Sequence, residues 1–340
     1  MSYIEILNNL LKPKIPTKPV VLDLFSGSGG LALGFEALGF ETIGFDQDAD
    51  CCDTYRSNLL GQCEQIVLNK TIDLPQADII VGGPPCQPFS VGGEQKGLED
   101  ARDGFPIFLH AVRTLQPKIF LIENVRGLLY RNKWYFDLIR KALSEVGYMV
   151  EYQLINAVNY GVPQNRQRVF IIGHQAGYQF PLQQKKKVTA GEALDQLVYA
   201  ISSQSKFLTQ SMDDYVARYE KASHCITPRD LHLDKPARTL TCRNIAGATG
   251  DMMRIKLPDG RRRRLTVREA ARLQTFPDWF QFSGTETSQF NQIGNAVPPL
   301  LAYHFAKTIA EYLGLDVDDT PDLFLQTRPR QLLLPLEGIS

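Results

Sequence analysis

Short apolar runs alternate with amphipathic stretches along the first half of the chain. The runs, each bounded by polar or glycine-containing segments, occupy residues 20–25, 42–45, 78–81, 119–122 and 169–172. Runs of this length are typical of buried strands, and the stretches between them have apolar residues three and four apart, as in helices. This alternation predicts an α/β fold with a mostly parallel sheet.

The pattern changes after about Gly173, where the chain loses any clear period. A helical pattern returns only near its end, at Leu300, Leu301, Phe305 and Ile309. On this basis we predict three parts: a first domain, residues 1–173, completed by residues 290–325; a smaller irregular domain, residues 174–289; and a partly mobile tail, residues 326–340.

A glycine-rich turn, Phe25-Ser26-Gly27-Ser28-Gly29-Gly30, lies between the first predicted strand and the helix that follows. Such a turn presents backbone N–H groups to a ligand. Asp46 ends the next strand, where a carboxylate can accept hydrogen bonds from ribose hydroxyls. The turn departs from GxGxxG and the chain has no Walker lysine, which favours a ligand with one nucleoside over a pyrophosphate. The alternative is a tight turn that needs glycine only for its backbone.

Two further predicted strands lead into reactive side chains. Cys86 follows Pro84 and Pro85, and a glycine-containing run, residues 90–93, comes after it. A rigid approach and a hinged exit suit a nucleophile at the carboxyl edge of a sheet. Glu123 ends an apolar strand, so we expect it to be partly buried and able to donate as well as accept hydrogen bonds. The alternatives are a buried structural cysteine and an ion-paired glutamate.

Two arginines alternate just ahead of the last apolar run. Arg166 and Arg168 should point to opposite sides if this segment is extended, so that one of them can enter the site. The alternative is a solvated strand edge.

The composition and charge of the chain exclude several classes of function. Lys plus Arg number 37 and Asp plus Glu number 37, so bulk positive charge does not drive binding to nucleic acid. Residues 235–277 nevertheless hold eleven Lys or Arg and three Asp or Glu, a net charge of +8. No apolar run approaches the roughly 18 residues that span a bilayer, and the N-terminus lacks a signal-peptide pattern. The six cysteines form no CxxC pair, so we expect neither a disulfide framework nor a metal site. We therefore expect a cytoplasmic protein without a membrane partner.

Six segments resemble the motifs of the DNA cytosine-5 methyltransferases, in the order in which that family carries them. They are Phe25-Ser26-Gly27-Ser28-Gly29-Gly30, Pro84-Pro85-Cys86-Gln87-Pro88-Phe89-Ser90, Glu123-Asn124-Val125, Gln164-Asn165-Arg166-Gln167-Arg168, Arg264-Leu265-Thr266-Val267-Arg268-Glu269-Ala270 and Gln292-Ile293-Gly294-Asn295-Ala296-Val297. Any one of them is weak support, but the ordered set is specific and covers nearly the whole chain.

The resemblance implies a Rossmann-like, S-adenosylmethionine-dependent methyltransferase of the prokaryotic type, from a restriction-modification system or an orphan methylase. Cys86 would add to carbon 6 of cytosine, Glu123 would bind ring nitrogen 3 and the exocyclic amine, and Arg168 would bind the carbonyl oxygen. The residues that would line the S-adenosylmethionine site are Phe25, Ser26, Gly27, Gly29, Gly30, Asp46, Gln47, Pro85, Asn295 and Val297.

The resemblance also implies double-stranded DNA as the partner, with the target base flipped out and residues 90–102 closing around it. The expected DNA contacts are Gln87, Ser90, Arg166, Arg238, Thr239, Arg243, Asn244, Arg261 and Arg263. Arg243 and Asn244 suit the edges of guanine and adenine, whereas residues 261–264 suit phosphates. A solvated basic face or a localisation signal is the alternative for that run. We expect a monomer without an obligate protein partner.

Three other functions fit part of the sequence. A tRNA cytosine-5 methyltransferase shares the catalytic motifs, but its Cys-Phe-Thr element is absent from this chain. A non-catalytic DNA-binding protein would have no need of Cys86, Glu123 and Arg168 together. A nicotinamide oxidoreductase would fit the glycine-rich turn but not the Pro-Pro-Cys strand end.

Overall fold

The computed structural model of the chain describes residues 1–85, 103–201, 205–222, 224, 229–247, 251–317 and 326–327. The strands in this part are β1 Lys18–Leu24, β2 Phe40–Asp46, β3 Gln62–Gln65, β4 Ile79–Gly82, β5 Ile119–Val125, β6 Met149–Asn156, β7 Gln164–Asn165, β8 Gln167–His174, β9 Gln183–Gln184, β10 Ala237–Arg238, β11 Arg254–Lys256, β12 Arg262–Arg264 and β13 Gln326–Thr327. The helices are α1 Tyr3–Leu10, α2 Gly30–Glu36, α3 Ala49–Asn58, α4 Phe105–Leu115, α5 Gly127–Tyr130, α6 Lys133–Ser144, α7 Ala190–Leu194, α8 Gln210–Ala222, α9 Cys242–Ile245, α10 Val267–Leu273, α11 Glu286–Asn295 and α12 Pro299–Tyr312. None of the helices within these ranges is both long and apolar enough to cross a membrane.

Seven of the described strands form one sheet in the order β3-β2-β1-β4-β5-β8-β6. The first five of these pair in parallel, and helices connect most of them along the chain. β8 pairs antiparallel with both β5 and β6. A single helical turn, Ala157–Tyr160, lies in the connection between β6 and β8, which is too short for the crossover that a parallel pair needs. The predicted α/β fold with a mostly parallel sheet is confirmed.

The two strands that the apolar runs did not predict lie at the edges of the sheet. Three of the four residues of β3 are exposed, and most residues of β6 are only partly buried. An edge strand has fewer neighbours to cover it, so it does not need the continuous apolar run of a central strand.

Both faces of the sheet are covered by helices, and successive residues of β1 show the alternation. Val21 packs on the side of α1, α2 and α12, together with Phe35 and Phe305. Leu22 packs on the other side, where α4 and α6 contribute Phe108 and Phe136. The period of two along a strand therefore supplies two separate apolar layers from one short run.

Helix α12, formed late in the chain, packs closely on α2 near its start. A Cβ atom on Gly34 would lie 2.4 Å from the backbone nitrogen of Tyr303 and 2.5 Å from the carbonyl carbon of Ala302. The two helices approach each other this closely because Gly34 has no side chain. Residues of the predicted 290–325 segment thus complete the core around the first half of the chain.

The region after β8 contains more regular structure than its sequence pattern suggests. Helix α8 runs over Gln210–Ala222, within the stretch for which no period was expected, and Val216 is its one buried residue in the described part. A third apolar cluster joins this region to the sheet domain, because Leu33 and Tyr55 pack with Leu240 and Phe276. Of the predicted tail, Gln326–Thr327 pairs with β9, and residues 328–340 lie outside the described part.

We predict that Gly34→Ala lowers the free energy of unfolding by about 2 kcal/mol, because backbone atoms of α12 occupy the space of the new methyl group. Gly127→Ala is the matched control, since a Cβ atom there has no described neighbour within 4 Å. Urea unfolding of both variants measures the difference. Equal stabilities would contradict the close packing of α2 and α12.

Candidate active site

Two charged side chains meet at the carboxyl end of β5. Glu123 is 9% exposed, as expected for a residue that ends an apolar strand. Its Oε1 atom lies 3.0 Å from Nε of Arg168, which comes from the neighbouring antiparallel strand β8. A Cβ atom on Gly83 would lie 3.5 Å from Oε2 of Glu123, so the end of β4 borders the same carboxylate. A carboxylate and a guanidinium are therefore held together beside the segment that leads to Cys86.

Hydrogen bonds to its two carbonyl groups fix the segment before Cys86. Nδ2 of Asn124 donates to the Pro84 carbonyl at 3.0 Å, and the Gly104 N–H donates to the Pro85 carbonyl at 3.0 Å. Asn124 follows Glu123 directly, so β5 positions both the carboxylate and the approach to the cysteine. Three predicted site residues, Cys86, Gln87 and Ser90, and the predicted closing loop 90–102, lie outside the described residues.

The glycine-rich turn after β1 has an unusual backbone. Phe25 has a φ of 61°, in the left-handed region that costs a non-glycine residue about 1 kcal/mol. Gly27 and Gly29 have φ values of 53° and 82°, and α2 begins at Gly30. Two glycines and one strained phenylalanine therefore form the sharp turn between the carboxyl end of β1 and the start of α2.

Asp46 joins the ends of β1 and β2. Its Oδ2 atom accepts a 2.8 Å hydrogen bond from the Gly27 N–H, and its Oδ1 atom accepts a 2.9 Å bond from the Asp48 N–H. Burial raises the pKa of Asp46 from its ordinary value, and the backbone donors oppose that rise. Each oxygen retains a lone pair for a further donor such as a hydroxyl group. Gln47, the next residue, is exposed.

The remaining predicted cofactor residues approach the same turn. A Cβ atom on Gly30 would lie 2.6 Å from the Val297 carbonyl oxygen. One on Gly104 would lie 2.5 Å from Cδ of Pro85 and 2.9 Å from Cζ of Phe25, which brings those two residues together.

The two other predicted residues face protein groups. The Ser26 hydroxyl lies 3.8 Å from Sγ of Cys63, and Oδ1 of Asn295 lies 3.1 Å from Sγ of Cys242.

The turn fits a nucleoside-bearing group. A Cβ atom on Gly27 would have no described neighbour within 4 Å, so the backbone there faces open space. Asp46, with spare lone pairs, lies against the same glycine. S-adenosylmethionine has one ribose and no pyrophosphate, which agrees with a carboxylate and a short glycine turn.

Arg166 corrects a prediction. It points away from Arg168, as the alternation expected, but its side chain is buried at 1% exposure, and the proposed contact with DNA is wrong in this conformation. Its guanidinium donates to the carbonyls of Leu240 at 2.8 Å, Gly294 at 3.1 Å and Ala296 at 3.0 Å. Burial lowers the pKa of Arg166 to about 9, and the nearby Arg168 adds to that effect. Arg166 therefore joins its own segment to two others behind the site, one at Leu240 and one at Gly294 and Ala296.

Two buried glutamines, for whose side chains no role was predicted, extend this contact. Gln164 donates to Oε1 of Gln274 at 2.6 Å and accepts from the Leu240 N–H at 2.8 Å. Gln274 in turn donates to the carbonyls of Ile293 and Ala296. Gln164 belongs to one of the quoted motifs, which was a usable signal, whereas Gln274 lies outside all of them. We call Arg166, Gln164 and Gln274 the polar junction.

The predicted phosphate-binding arginines are largely engaged within the protein. Arg263 has 0% exposure and pairs with Glu269 at 2.6 Å, so its predicted contact with DNA is wrong. Arg261 is exposed, pairs with Asp259 at 2.7 Å and lies over the ring of Phe207. Arg238 pairs with Asp251 at 2.8 Å and remains partly exposed. A basic run in the sequence is thus not a free basic surface in the fold.

The predicted base-reading residues divide in the same way. Asn244 is 3% exposed, and its amide group bonds to the backbone of Thr241 and Thr239, so it does not reach a base in this conformation. The Thr239 hydroxyl donates to the Asn165 carbonyl at 2.6 Å. Arg243 is exposed and has no hydrogen-bonding partner among the described residues. The role of Arg243 in base recognition stays a prediction.

No group of three or more His, Cys, Asp and Glu side chains that could hold a metal ion occurs within the described ranges. Burial raises the pKa of the Cys63 thiol, and the neighbouring Cys52 adds to the rise. Burial also raises the pKa of the Cys51 thiol, to which the carboxylates of Asp46 and Asp48 add. Neither thiol is therefore a ready thiolate at neutral pH.

Comparison with known proteins identifies the family of the chain. The family described as C-5 cytosine-specific DNA methylase matches residues 20–311. The Type II methyltransferase M.AplI of Arthrospira platensis is 52% identical over 340 residues, and the match covers 98% of each chain. The Type II methyltransferase M.NgoFVII of Neisseria gonorrhoeae is 34% identical over 336 residues, with 86% of each chain covered.

Solved structures agree on the fold. The Entamoeba histolytica methyltransferase EhMeth has a TM-score of 0.68 and 20% identity, covering 88% of this chain and 99% of that chain. The S. pombe Dnmt2 methyltransferase has a TM-score of 0.69 and 17% identity, covering 87% and 99%. At these identities the likeness concerns the fold alone.

The sheet, the glycine-rich turn and the strand-end residues together define a Rossmann-like methyltransferase, a class that the family implies to depend on S-adenosylmethionine. The chain belongs to the C-5 cytosine-specific DNA methylases. It is a DNA (cytosine-5) methyltransferase, which transfers a methyl group to carbon 5 of cytosine in DNA.

We predict that Arg166→Ala lowers the free energy of unfolding by about 3 kcal/mol, because it leaves the carbonyls of Leu240 and Gly294 without a described donor and removes one of the two donors to the Ala296 carbonyl. Arg113→Ala, at an exposed position, is the control and should stay within about 0.5 kcal/mol of the parent. Arg166→Lys should recover part of the loss, since an ammonium can reach some of the carbonyls but lacks the planar fork. Urea unfolding measures all three. Equal losses for Arg166→Ala and Arg113→Ala would contradict the role of the polar junction.

Proposed function

We propose that the chain methylates a flipped-out cytosine within a specific short duplex sequence, through a transient covalent bond to Cys86. The observation that carries the proposal is the pair formed by Glu123 and Arg168 beside the segment Gly83–Pro85. A carboxylate and a guanidinium fixed together match the polar edge of cytosine, and the chain places a thiol directly after Pro85.

The thiolate of Cys86 attacks carbon 6 of the ring, and the sulfur–carbon bond forms as the electrons of the 5,6 double bond move to carbon 5. Glu123 binds ring nitrogen 3 and the exocyclic amine, and Arg168 binds the carbonyl oxygen, so both stabilise the charge that moves into the ring. Carbon 5 forms its bond to the methyl group as the bond between that group and the sulfonium sulfur of the donor breaks, and the electron pair of the broken bond stays on the sulfur. A base then removes the proton at carbon 5, and the bond between Cys86 and carbon 6 breaks as the double bond returns.

S-adenosylmethionine, when bound, supplies a methyl group on a positively charged sulfur atom. Phe25, Gly27, Gly30 and Asp46 would hold its nucleoside at the turn after β1, and Val297 would border it from the C-terminal segment. Because Pro85 lies against the same region as Phe25, the donor and the thiol would be adjacent.

A target base inside a duplex is out of reach of this chemistry, so the proposal includes base flipping. We assign residues 174–289 to target recognition and residues 1–173 with 290–325 to catalysis. Arg243 is the exposed candidate for reading a guanine edge. The relatives M.AplI and M.NgoFVII are named Type II methyltransferases, which supports a role in a cytoplasmic restriction-modification system.

We predict that Cys86→Ala abolishes methyl transfer to duplex DNA while leaving S-adenosylmethionine binding within about twofold of the parent, because the thiol is needed for chemistry and not for donor binding. Transfer of tritiated methyl groups and calorimetric donor binding measure the two effects. Cys225→Ala, at a cysteine outside all of the predicted catalytic, donor-binding and DNA-binding residues, is the matched control and should keep methyl transfer. Retained turnover by the Cys86 variant would remove this residue from its role.

We predict that a duplex with 5-fluorocytosine at the target position becomes cross-linked to the protein when the methyl donor is present. Fluorine at carbon 5 cannot leave as a proton does, so the sulfur–carbon bond persists. Denaturing electrophoresis and peptide mass spectrometry locate the bond. Parallel reactions with duplex DNA and with tRNA decide the substrate, and label in tRNA alone would overturn the proposal.

A further inference from the structure

The arginines of the basic stretch, residues 235–277, are mostly paired with acidic side chains. Arg254 has 0% exposure and pairs with Glu220 and Asp230, and Arg262 pairs with Asp213 and Asp230. A duplex seated over Glu123 therefore needs positive charge from another part of the rim. The two helices after β5, α5 and α6, supply such a surface.

Large aromatic side chains are exposed on these helices. Tyr130, the last residue of α5, is 67% exposed, and Trp134, in the first turn of α6, is 44% exposed. Their neighbours Leu128, Tyr135 and Phe136 are buried and hold the two helices against the sheet. Exposed aromatic groups next to a well-packed layer commonly mark a binding surface.

The same stretch carries a concentration of positive charge. Arg126, Arg131 and Lys133 lie among these aromatic residues, and no acidic residue occurs from position 124 to position 136. Arg131 is exposed and forms no ion pair with the residues that the structure describes. Lys133 pairs with Asp137 at 2.9 Å, but the two side chains are 70% and 47% exposed, so a phosphate can compete for the ammonium. We call Arg126, Tyr130, Arg131, Lys133 and Trp134 the α5–α6 surface.

The α5–α6 surface is continuous with the catalytic pair. Arg126 follows Glu123 by three residues, and its Nη1 donates to Oε1 of Gln167 at 3.0 Å. Gln167 is next to Arg168 in β8, so Arg126 lies at the edge of the site. α5 begins at the following residue and carries the surface away from that edge.

We propose that the α5–α6 surface binds duplex DNA beside the target cytosine, with its cations on backbone phosphates and its aromatic side chains against the deoxyriboses between them. The inference rests on the proposed function, which brings the duplex to Glu123. Its basis is the match between a basic, aromatic rim and a polyanion with flat sugar and base surfaces. These contacts would position the duplex without reading its sequence.

The test compares two double variants that remove the same charge. Arg131→Ala with Lys133→Ala removes two cations of the surface, whereas Arg113→Ala with Lys118→Ala removes two exposed cations near the opposite end of β5. Binding of a short fluorescein-labelled duplex is followed by anisotropy at several salt concentrations. Each lost phosphate contact lowers the slope of log affinity against log salt by about 0.9, so the first pair should lower it by about 1.8. The second pair should leave the slope unchanged.

Several results would overturn the inference. A slope that neither pair changes, or that both pairs change equally, would refute a local contact. Altered sedimentation of the first pair with an unchanged slope would assign the surface to a second copy of the chain. Methyl transfer by the parent protein separates the two proposals. If the parent methylates duplex DNA but both double variants change the slope alike, only the proposal for the α5–α6 surface is refuted. If the parent neither binds nor methylates DNA, both proposals are refuted.

A second measurement keeps every cation of the surface in place. The chain has two tryptophans, so Trp279→Phe leaves Trp134 as the sole indole reporter. Trp279 donates to the Asn8 carbonyl at 3.1 Å and is partly buried, which makes it a reporter distant from the surface. Duplex DNA should change the emission of Trp134 at the concentrations that raise the anisotropy, and the reciprocal Trp134→Phe variant should show little change. An unaltered Trp134 signal at saturating DNA would overturn the inference.

Discussion

A two-residue alternation at the start of β8 controls the architecture around the site. Arg168 meets Glu123 on one side, and Arg166 is buried on the other, where it binds three carbonyls from two segments, one at Leu240 and one at Gly294 and Ala296. Burying a guanidinium is costly unless its donors are satisfied, so the carbonyls of Leu240, Gly294 and Ala296 must stay where they are. The same short stretch therefore orients Arg168 beside Glu123 and fixes the segments that contain Leu240 and Ala296 behind it.

The central sheet and the convergence of its strand ends could be predicted from the sequence. Central strands such as β1 and β5 are buried on both faces and need continuous apolar runs, which are easy to recognise. Parallel strands place their carboxyl ends along one edge, so the residues that follow, Asp46 and Glu123 among them, were expected to lie near one another. Three of the six ordered motifs that identified the family mark such strand ends, after β1, after β4 and at the end of β5.

The partners of the polar side chains could not be predicted. Arg263 and Asn244 have the side chains of a phosphate contact and a base contact, but the fold directs them to Glu269 and to the backbone of Thr239. The net charge of residues 235–277 treats each arginine as if it had no acidic partner. Several of their carboxylate partners come from outside that stretch, as Asp213, Glu220 and Asp230 do. Helix α8 was missed because it buries little beyond Val216, so it has no apolar stripe to recognise.

The packing of α12 on α2 has a consequence for biosynthesis. The groove around Gly34 lies in the first tenth or so of the chain's order of translation, but the helix that fills it spans Pro299–Tyr312. A nascent polypeptide must therefore hold an unfilled apolar groove until almost all of its codons have been read. A product terminated before that helix would keep the groove open to chaperones and proteases, so premature termination should yield a substrate for degradation instead of an active modifying enzyme.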